Sequence, residues 1–274
     1  MTSTEDFDEE VHKANVRYHK AEAKYYEMLH GEIYGSAEQK RINSMLEKID
    51  KLIINNNRRA LDFGAGTGNI TGKLLRMGYS VLAVDISPEM VKTLKIKFKD
   101  DLENKKLRVI TSEIESVNLE EGEFDLVTSY SVLHHLPNYE KVIRELSTLL
   151  KKGGVMYLDH EDLYYAKKQS SIDRLIQFIH LRSDRLIDHL FFRSKGITVP
   201  PLNISAHDRD FTDYWDRKNR HLDSEKIESV FESENFGFYT QINYHVNSSW
   251  IFSPTYCLFK HISKPNYVCW VARK

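Results

Sequence analysis

Residues Ala60-Leu61-Asp62-Phe63-Gly64-Ala65-Gly66-Thr67-Gly68-Asn69-Ile70-Thr71 run from a short apolar stretch ending in an acid, through three alternating glycines, into a helical pattern. That order constrains the fold more than any other part of the chain. It calls for a buried strand, a tight turn and a helix, with bare backbone N–H groups and a helix N-terminus aimed at one point. The spacing is G-x-G-x-G, and Asn69 stands where a dinucleotide-binding turn has its third glycine. There is no G-x-x-x-x-G-K-[ST] phosphate loop. Asp62 adds a carboxylate just before the turn, which suits a cationic group on a ligand and repels a pyrophosphate.

Four further apolar runs follow at strand–helix spacing. Ser80–Asp85 reads as a buried strand ending in an acid, and Ser87-Pro88 as a helix cap with proline at the first helical position. Leu107–Thr111, Glu123–Ser129 and Gly153–Asp159 read as strands three to five. Val11–His30 and Ser36–Ile53 read as helices in front of this core, behind an acidic, frayed tail. After strand five, residues 163–223 exceed what one crossover helix needs. Ile172, Leu175, Ile176, Ile179, Leu186, Ile187, Leu190 and Phe191 recur there near helical spacing. His207–Asp210 reads as an exposed loop. Asp223–Phe231 reads as a helix, and Phe236–Tyr244 and Asn266–Lys274 as the last two strands.

The ordered set of glycine loop, acid after strand two, Glu113-Ile114 after strand three and Leu133-His134-His135-Leu136 after strand four resembles the class I S-adenosylmethionine-dependent methyltransferases. Within them it is most similar to a small-molecule branch that includes quinone-biosynthesis methyltransferases. The resemblance covers roughly residues 48–162 and, more weakly, the C-terminal strand pair. It implies an α/β, doubly wound, seven-stranded, mostly parallel sheet in the order 3-2-1-4-5-7-6, with strand 7 antiparallel. N-terminal helices (1–53), a cofactor-binding core (54–162), a helical lid or substrate insertion (163–223) and a closing helix–strand–strand unit (224–274) complete the organisation.

The resemblance also implies the ligand, S-adenosyl-L-methionine, and its contacts. Gly64, Ala65, Gly66, Thr67 and Gly68 face its methionine part, and Asp62 lies near its amino group. Asp85 accepts from the ribose hydroxyls, Ile86 and Met90 pack on the adenine, and Glu113 and the Ile114 backbone read the adenine edge. Tyr130 ends strand four at this ligand. An N-terminal helix crosses the cofactor, with Tyr26 the tyrosine placed to touch it.

Methyl transfer from a sulfonium is an in-line displacement, served mainly by positioning in a dry pocket. A hydroxyl nucleophile also needs a base. His134 and His160 are the catalytic candidates, because histidine titrates near neutrality and these two follow strands four and five. His135 reads as a loop-orienting residue. The segment Tyr130-Ser131-Val132-Leu133 lacks the Asn/Asp-Pro-Pro-aromatic motif of nucleic-acid amino methylation, the glutamate pair of arginine methylation and the metal-binding acid of catechol-type enzymes. No metal is expected.

The chain has 274 residues and a net charge of -1, a balance that argues against a broad electrostatic grip on nucleic acid. Lys92, Lys95, Lys97, Lys99, Lys105 and Lys106 read as a solvated face. Cys257 and Cys269, not spaced as a C-x-x-C pair, read as buried thiols in a reducing cytoplasm. No run is long enough to span a bilayer. The expected partner is a small-molecule methyl acceptor, apolar or amphipathic given Phe191, Phe192, Phe211, Tyr214, Trp215, Trp250, Phe252 and Tyr256. O- or C-methylation is favoured over N-methylation, and the insertion is a possible homodimer face. Two other readings stay open: a nicotinamide-dependent oxidoreductase, from the glycine loop and Asp85, and an S-adenosylmethionine-binding protein without catalysis.

Overall fold

In the computed structural model, residues 4–54, 57–113, 117, 119–162, 186, 190, 192–196, 202–212, 222–246, 265 and 267–274 are described. Seven strands form one sheet: β1 (Arg59–Phe63), β2 (Ser80–Asp85), β3 (Leu107–Thr111), β4 (Phe124–Tyr130), β5 (Leu150–Asp162), β6 (Phe238–Tyr244) and β7 (Tyr267–Arg273). Their spatial order is β3-β2-β1-β4-β5-β7-β6. β1 to β5 pair in parallel, and β7 runs antiparallel to both β5 and β6. This is the expected topology, strand for strand. β1 lies between β2 and β4, so the chain reverses its winding there, and the loops after β1, β2 and β4 open at one edge of the sheet. Open α/β sheets bind ligands at this reversal.

Strand alternation splits the core into two layers. Leu61, Phe63, Leu82 and Val84 face α8 (Tyr139–Thr148) and α10 (Ser224–Ser233), packing on Ile143, Leu146, Ile227 and Phe231. Ala60, Val81 and Ala83 face the other layer, where α4 (Ser36–Asp50) and α5 (Asn69–Arg76) contribute Ile42, Leu46, Ile49 and Leu74. α6 (Pro88–Lys97) starts as expected, with the Ser87 side chain accepting from the Met90 amide at 3.4 Å. A short α7 (Lys99–Glu103) leads to β3.

The N-terminal region differs from the expectation. From residue 4 on, the acidic tail is helical rather than frayed: α1 runs Thr4–Glu22, earlier at both ends than the expected helix. It is followed by the one-turn helices α2 (Tyr26–Leu29) and α3 (Gly31–Tyr34). Lys13–Glu9 and Arg17–Glu10 ion pairs support the early start. His207–Asp210 is likewise helical, within α9 (Ala206–Thr212). α9 packs on α1 through the Arg17–Asp208 pair at 2.7 Å and the Phe7 and Phe211 rings, 5.6 Å apart. Most of the expected lid, and with it the possible dimer face, lies outside the described residues, as do Phe191, Tyr214, Trp215, Trp250, Phe252, Tyr256 and Cys257. Cys269 is a free, buried cysteine, and the six lysines noted above are exposed.

Candidate active site

The glycine turn leaves β1 with φ of +70° at Gly64, +53° at Gly66 and +89° at Gly68. A Cβ on Gly64 would lie 2.3 Å from Val132 Cγ2, so this glycine lets the loop after β4 close onto the turn. A Cβ on Gly66 would meet nothing within 4 Å, which leaves its backbone open. Gly68 departs from the expected role. Its Cβ would strike the Phe98 ring at 2.5 Å, and it serves as the left-handed N-cap of α5 rather than lining the pocket.

Over this turn lies a cavity of about 460 Å³. Gly64, Gly66, Asp85, Ile86, Met90, Glu113, Tyr130 and Tyr26 line it, together with the α1 residues Asp8, His12 and His19. Asp85 ends β2 with both oxygens engaged: Oδ2 accepts from the Gly66 amide at 2.7 Å and Oδ1 from the Ser87 amide at 2.8 Å. Burial raises its pKa, against these two bonds. Glu113 pairs with His12 of α1 at 2.6 Å, tying the helix to the end of β3. Ile114 lies outside the described residues.

Asp62, Ala65 and Thr67 border a small adjoining pocket, with Gly64, Gly66, Tyr26 and Tyr130 shared between the two spaces. Asp62 is fully enclosed. Thr71 donates to its Oδ2 at 2.5 Å and Thr128 to its Oδ1 at 3.0 Å. Burial outweighs these bonds and pushes the carboxyl up to about 6. Burial also raises the Tyr26 phenol well above its usual range.

A second cavity of about 180 Å³ adjoins the first at His19, Tyr26, Ser131 and His135. Its remaining lining is mostly polar: Tyr18, Glu22, His30, Glu32, His134, His160 and Tyr267, with Ile33. Burial disfavours the His30 imidazolium, but Glu22 and Glu32 on either side raise its pKa to about 10. The two catalytic candidates differ in surroundings. His134 Nδ1 is held by Glu161 Oε2 at 2.8 Å, and the same carboxylate accepts from the Val132, Leu133 and His134 amides. Glu161 thereby organises the whole loop after β4. His135, expected only to orient that loop, lines both cavities, and its Nδ1 donates to the Thr212 carbonyl of α9 at 2.5 Å. Burial and the neighbouring His134 and His19 lower its pKa well below the usual value, so its ring is neutral.

Behind His160 lies a buried network that sequence reasoning missed. Arg41 of α4 donates to Glu38, to Asp159 at 2.6 Å and to the Tyr244 hydroxyl at 3.1 Å. Tyr157 and Tyr244 donate to Asp159 as well. Neither Glu38 nor Arg41 carries a sequence signal, because both sit among ordinary charges on an amphipathic helix. Among the described residues no cluster of His, Cys, Asp or Glu is arranged to hold a metal.

A methyltransferase domain family matches residues 61–158, from the middle of β1 through most of β5. Over residues 61–158 the chain is similar to that methyltransferase domain. A curated ubiquinone biosynthesis O-methyltransferase of Xanthomonas campestris pv. campestris is 35% identical over 101 residues, 36% of this chain and 41% of that protein. The chain thus matches less than half the length of such relatives. A phosphoethanolamine N-methyltransferase 2 of Haemonchus contortus, in complex with S-adenosyl-L-methionine, superposes with a TM-score of 0.59 at 14% identity, covering 100% of this chain and 60% of that one. An S-adenosylmethionine-dependent methyltransferase of Mesorhizobium loti superposes with a TM-score of 0.55 at 18% identity, covering 88% of this chain and 99% of that one. These two likenesses concern the fold. They share the architecture of the methyltransferase domain while differing from it at most positions.

Proposed function

We propose that the protein is an S-adenosylmethionine-dependent methyltransferase acting on a small molecule. The observation that carries this reading is the pair of carboxylates, buried Asp62 and half-buried Asp85, flanking a glycine turn whose Gly66 backbone opens into the larger cavity. A cradle of that kind fits a ligand with an ammonium group at one end and vicinal hydroxyls further along. Asp62 would meet the ammonium. Asp85, which spends one lone pair of each oxygen on Gly66 and Ser87, keeps others for the ribose. Ile86 and Met90 would pack on the adenine, with Glu113 at its edge, and Tyr26 would close the site from α2. When bound, the cofactor supplies a methyl group on a positively charged sulfur. The chain's own part is to align the acceptor and exclude water.

The polar lining of the second cavity makes it the acceptor site in this reading, so we favour a polar acceptor surface over the apolar one expected from the aromatic residues. The net charge of -1 supports a small-molecule rather than a nucleic-acid acceptor. Among the described residues no helix is long and apolar enough to cross a membrane. The proposed setting is the cytoplasm, where the Cys269 thiol stays reduced.

Calorimetry with S-adenosylmethionine, S-adenosylhomocysteine and NAD tests the reading. Both sulfur ligands should bind and NAD should not. Asp85→Ala should weaken the sulfur ligands by one or two charged hydrogen bonds, roughly 1.5–3 kcal/mol each. Preference for NAD would replace this reading with an oxidoreductase. Binding without turnover across an acceptor library would leave a non-catalytic binding protein.

A further inference from the structure

His160 stands where the pairing of β5 with β7 is interrupted between Leu158 and Glu161, and its φ is +62°. A non-glycine residue persists in that region only where its surroundings fix it. Here they do. The ring lies against Tyr130 at a centroid distance of 4.9 Å and an angle of 22°, and against Tyr267 at 4.3 Å and 31°. Its backbone amide donates to Asp159 Oδ1 at 2.7 Å. Its Nδ1 lies 2.9 Å from the Tyr130 hydroxyl and 3.5 Å from Glu38 Oε1.

The direction of each hydrogen bond in this chain is determined. Burial disfavours the Glu38 carboxylate, but the Arg41 guanidinium forks it with bonds of 2.8 and 2.6 Å and holds it below the usual carboxylate range. Glu38 is therefore an acceptor. The single Tyr130 proton goes to it, at 2.7 Å. The Tyr130 oxygen then accepts from His160 Nδ1, so in a ring with a single proton that proton sits on Nδ1 and the lone pair on Nε2. With Nδ1 engaged and the ring packed between two tyrosines, the Nε2 edge is the part left to line the second cavity.

We propose that Glu38 and Tyr130 are positioning residues that fix this tautomer, making His160 Nε2 the base for a hydroxyl-bearing acceptor in the second cavity. The proposal rests on the methyl-transfer reading above. The acceptor oxygen forms its bond to the methyl carbon as the sulfur–methyl bond breaks. Its proton passes to Nε2, and the sulfonium leaves as a neutral thioether. The imidazolium so formed keeps its Nδ1 proton on Tyr130, with the Glu38 charge one hydrogen bond further on. Tyr130 also lines the first cavity, so one side chain borders the donor space and orients the acceptor's base.

Long-range proton–nitrogen NMR on histidine-labelled full-length protein, saturated with S-adenosylhomocysteine, reads the tautomer directly. The His160 signals are assigned by their loss in His160→Gln. The wild type should show the Nδ1–H form. Tyr130→Phe should lose it in favour of Nε2–H, and so should Glu38→Leu, which removes the acceptor of the Tyr130 proton and covers the case in which the phenylalanine variant fails to fold. An Nε2–H form in the wild type, or an unchanged tautomer in a folded variant, overturns the proposal. Diethylpyrocarbonate, which acylates the unprotonated ring nitrogen, supplies a second readout by mass spectrometry. His160 should be labelled in the wild type and lose that labelling in Glu38→Leu, whereas an unlabelled His160 under conditions that label His19 counts against an open Nε2. Failure of S-adenosylhomocysteine to bind defeats the methyl-transfer reading, and the tautomer of the unliganded protein still reports on the relay.

Discussion

In the proposed reading Asp62 is where ligand charge and protein protonation meet, and acid is the perturbation that exposes it. Its enclosed carboxyl is pushed up to about 6 by burial, against the hydrogen bonds from Thr71 and Thr128. A carboxylate that pairs with an ammonium must be ionised, so ligand binding at acid pH expels a proton. With a pKa of about 6, roughly nine-tenths of Asp62 is protonated at pH 5 and about one-tenth at pH 7. The affinity for S-adenosylhomocysteine should therefore fall about tenfold from pH 7 to pH 5, a loss of about 1.4 kcal/mol. Titration calorimetry in two buffers of different ionisation enthalpy counts the protons released, which should approach one at pH 5. Asp62→Asn should bind more weakly at pH 7 and show no such slope. A wild-type affinity that stays flat across this range refutes the assignment. So does an asparagine variant that keeps the tenfold change, because the titrating group would then lie elsewhere, with Asp85, whose pKa burial also raises, the alternative. The same shift has a stability sign. Asp62 binds its proton more tightly folded than unfolded, so the ligand-free protein should lose up to about 3 kcal/mol as pH rises from about 4 to about 6.

Three further outcomes follow from contacts around the turn. Gly64→Ala places a Cβ 2.3 Å from Val132 Cγ2 at a φ of +70°, and thermal unfolding should show a loss of about 1–3 kcal/mol; adding Val132→Ala should recover the clash but not the backbone cost. Glu161→Gln removes the charged acceptor shared by three loop amides and His134; it should cost about 1.5–3 kcal/mol and speed amide hydrogen exchange at residues 132–134. Arg41→Leu leaves Glu38 and Asp159 buried without their cation; urea denaturation at pH 7 should show a loss of about 3–5 kcal/mol, diminishing in acid as those carboxyls take up protons.

The sheet was readable because its central strands β1, β2 and β4 are buried on both faces, and such strands appear as plain apolar runs whose order admits few topologies. The lining of the first cavity was readable for a related reason. Gly64 and Gly66 need backbone conformations that other residues resist, and Asp85 and Glu113 sit at fixed offsets from strand ends. Gly68 was misassigned because the same need for a left-handed backbone arises at a helix cap packed against Phe98. The acceptor side was largely hidden. Glu38 and Arg41 meet Asp159 only through tertiary packing, across more than a hundred residues of sequence. The extension of α1 over Asp8 and Glu9 was missed because acidic residues near a terminus read as solvent-loving, while here they begin a helix laid along the cavity rim. His135 was undervalued because nothing local shows that a carbonyl 77 positions away orients its ring.

The first helix supplies wall to both chambers: His12 to one, Tyr18 to the other and His19 to their junction. The stretch shared with known methyltransferases begins only at residue 61. The glycine turn thus lies inside the matched stretch, while this helix, which borders both cavities, lies before it. In the proposed reading, an engineer seeking a new methylation target would leave the glycine turn, Tyr26 and Glu38 alone and vary Tyr18, which borders the second cavity but not the first.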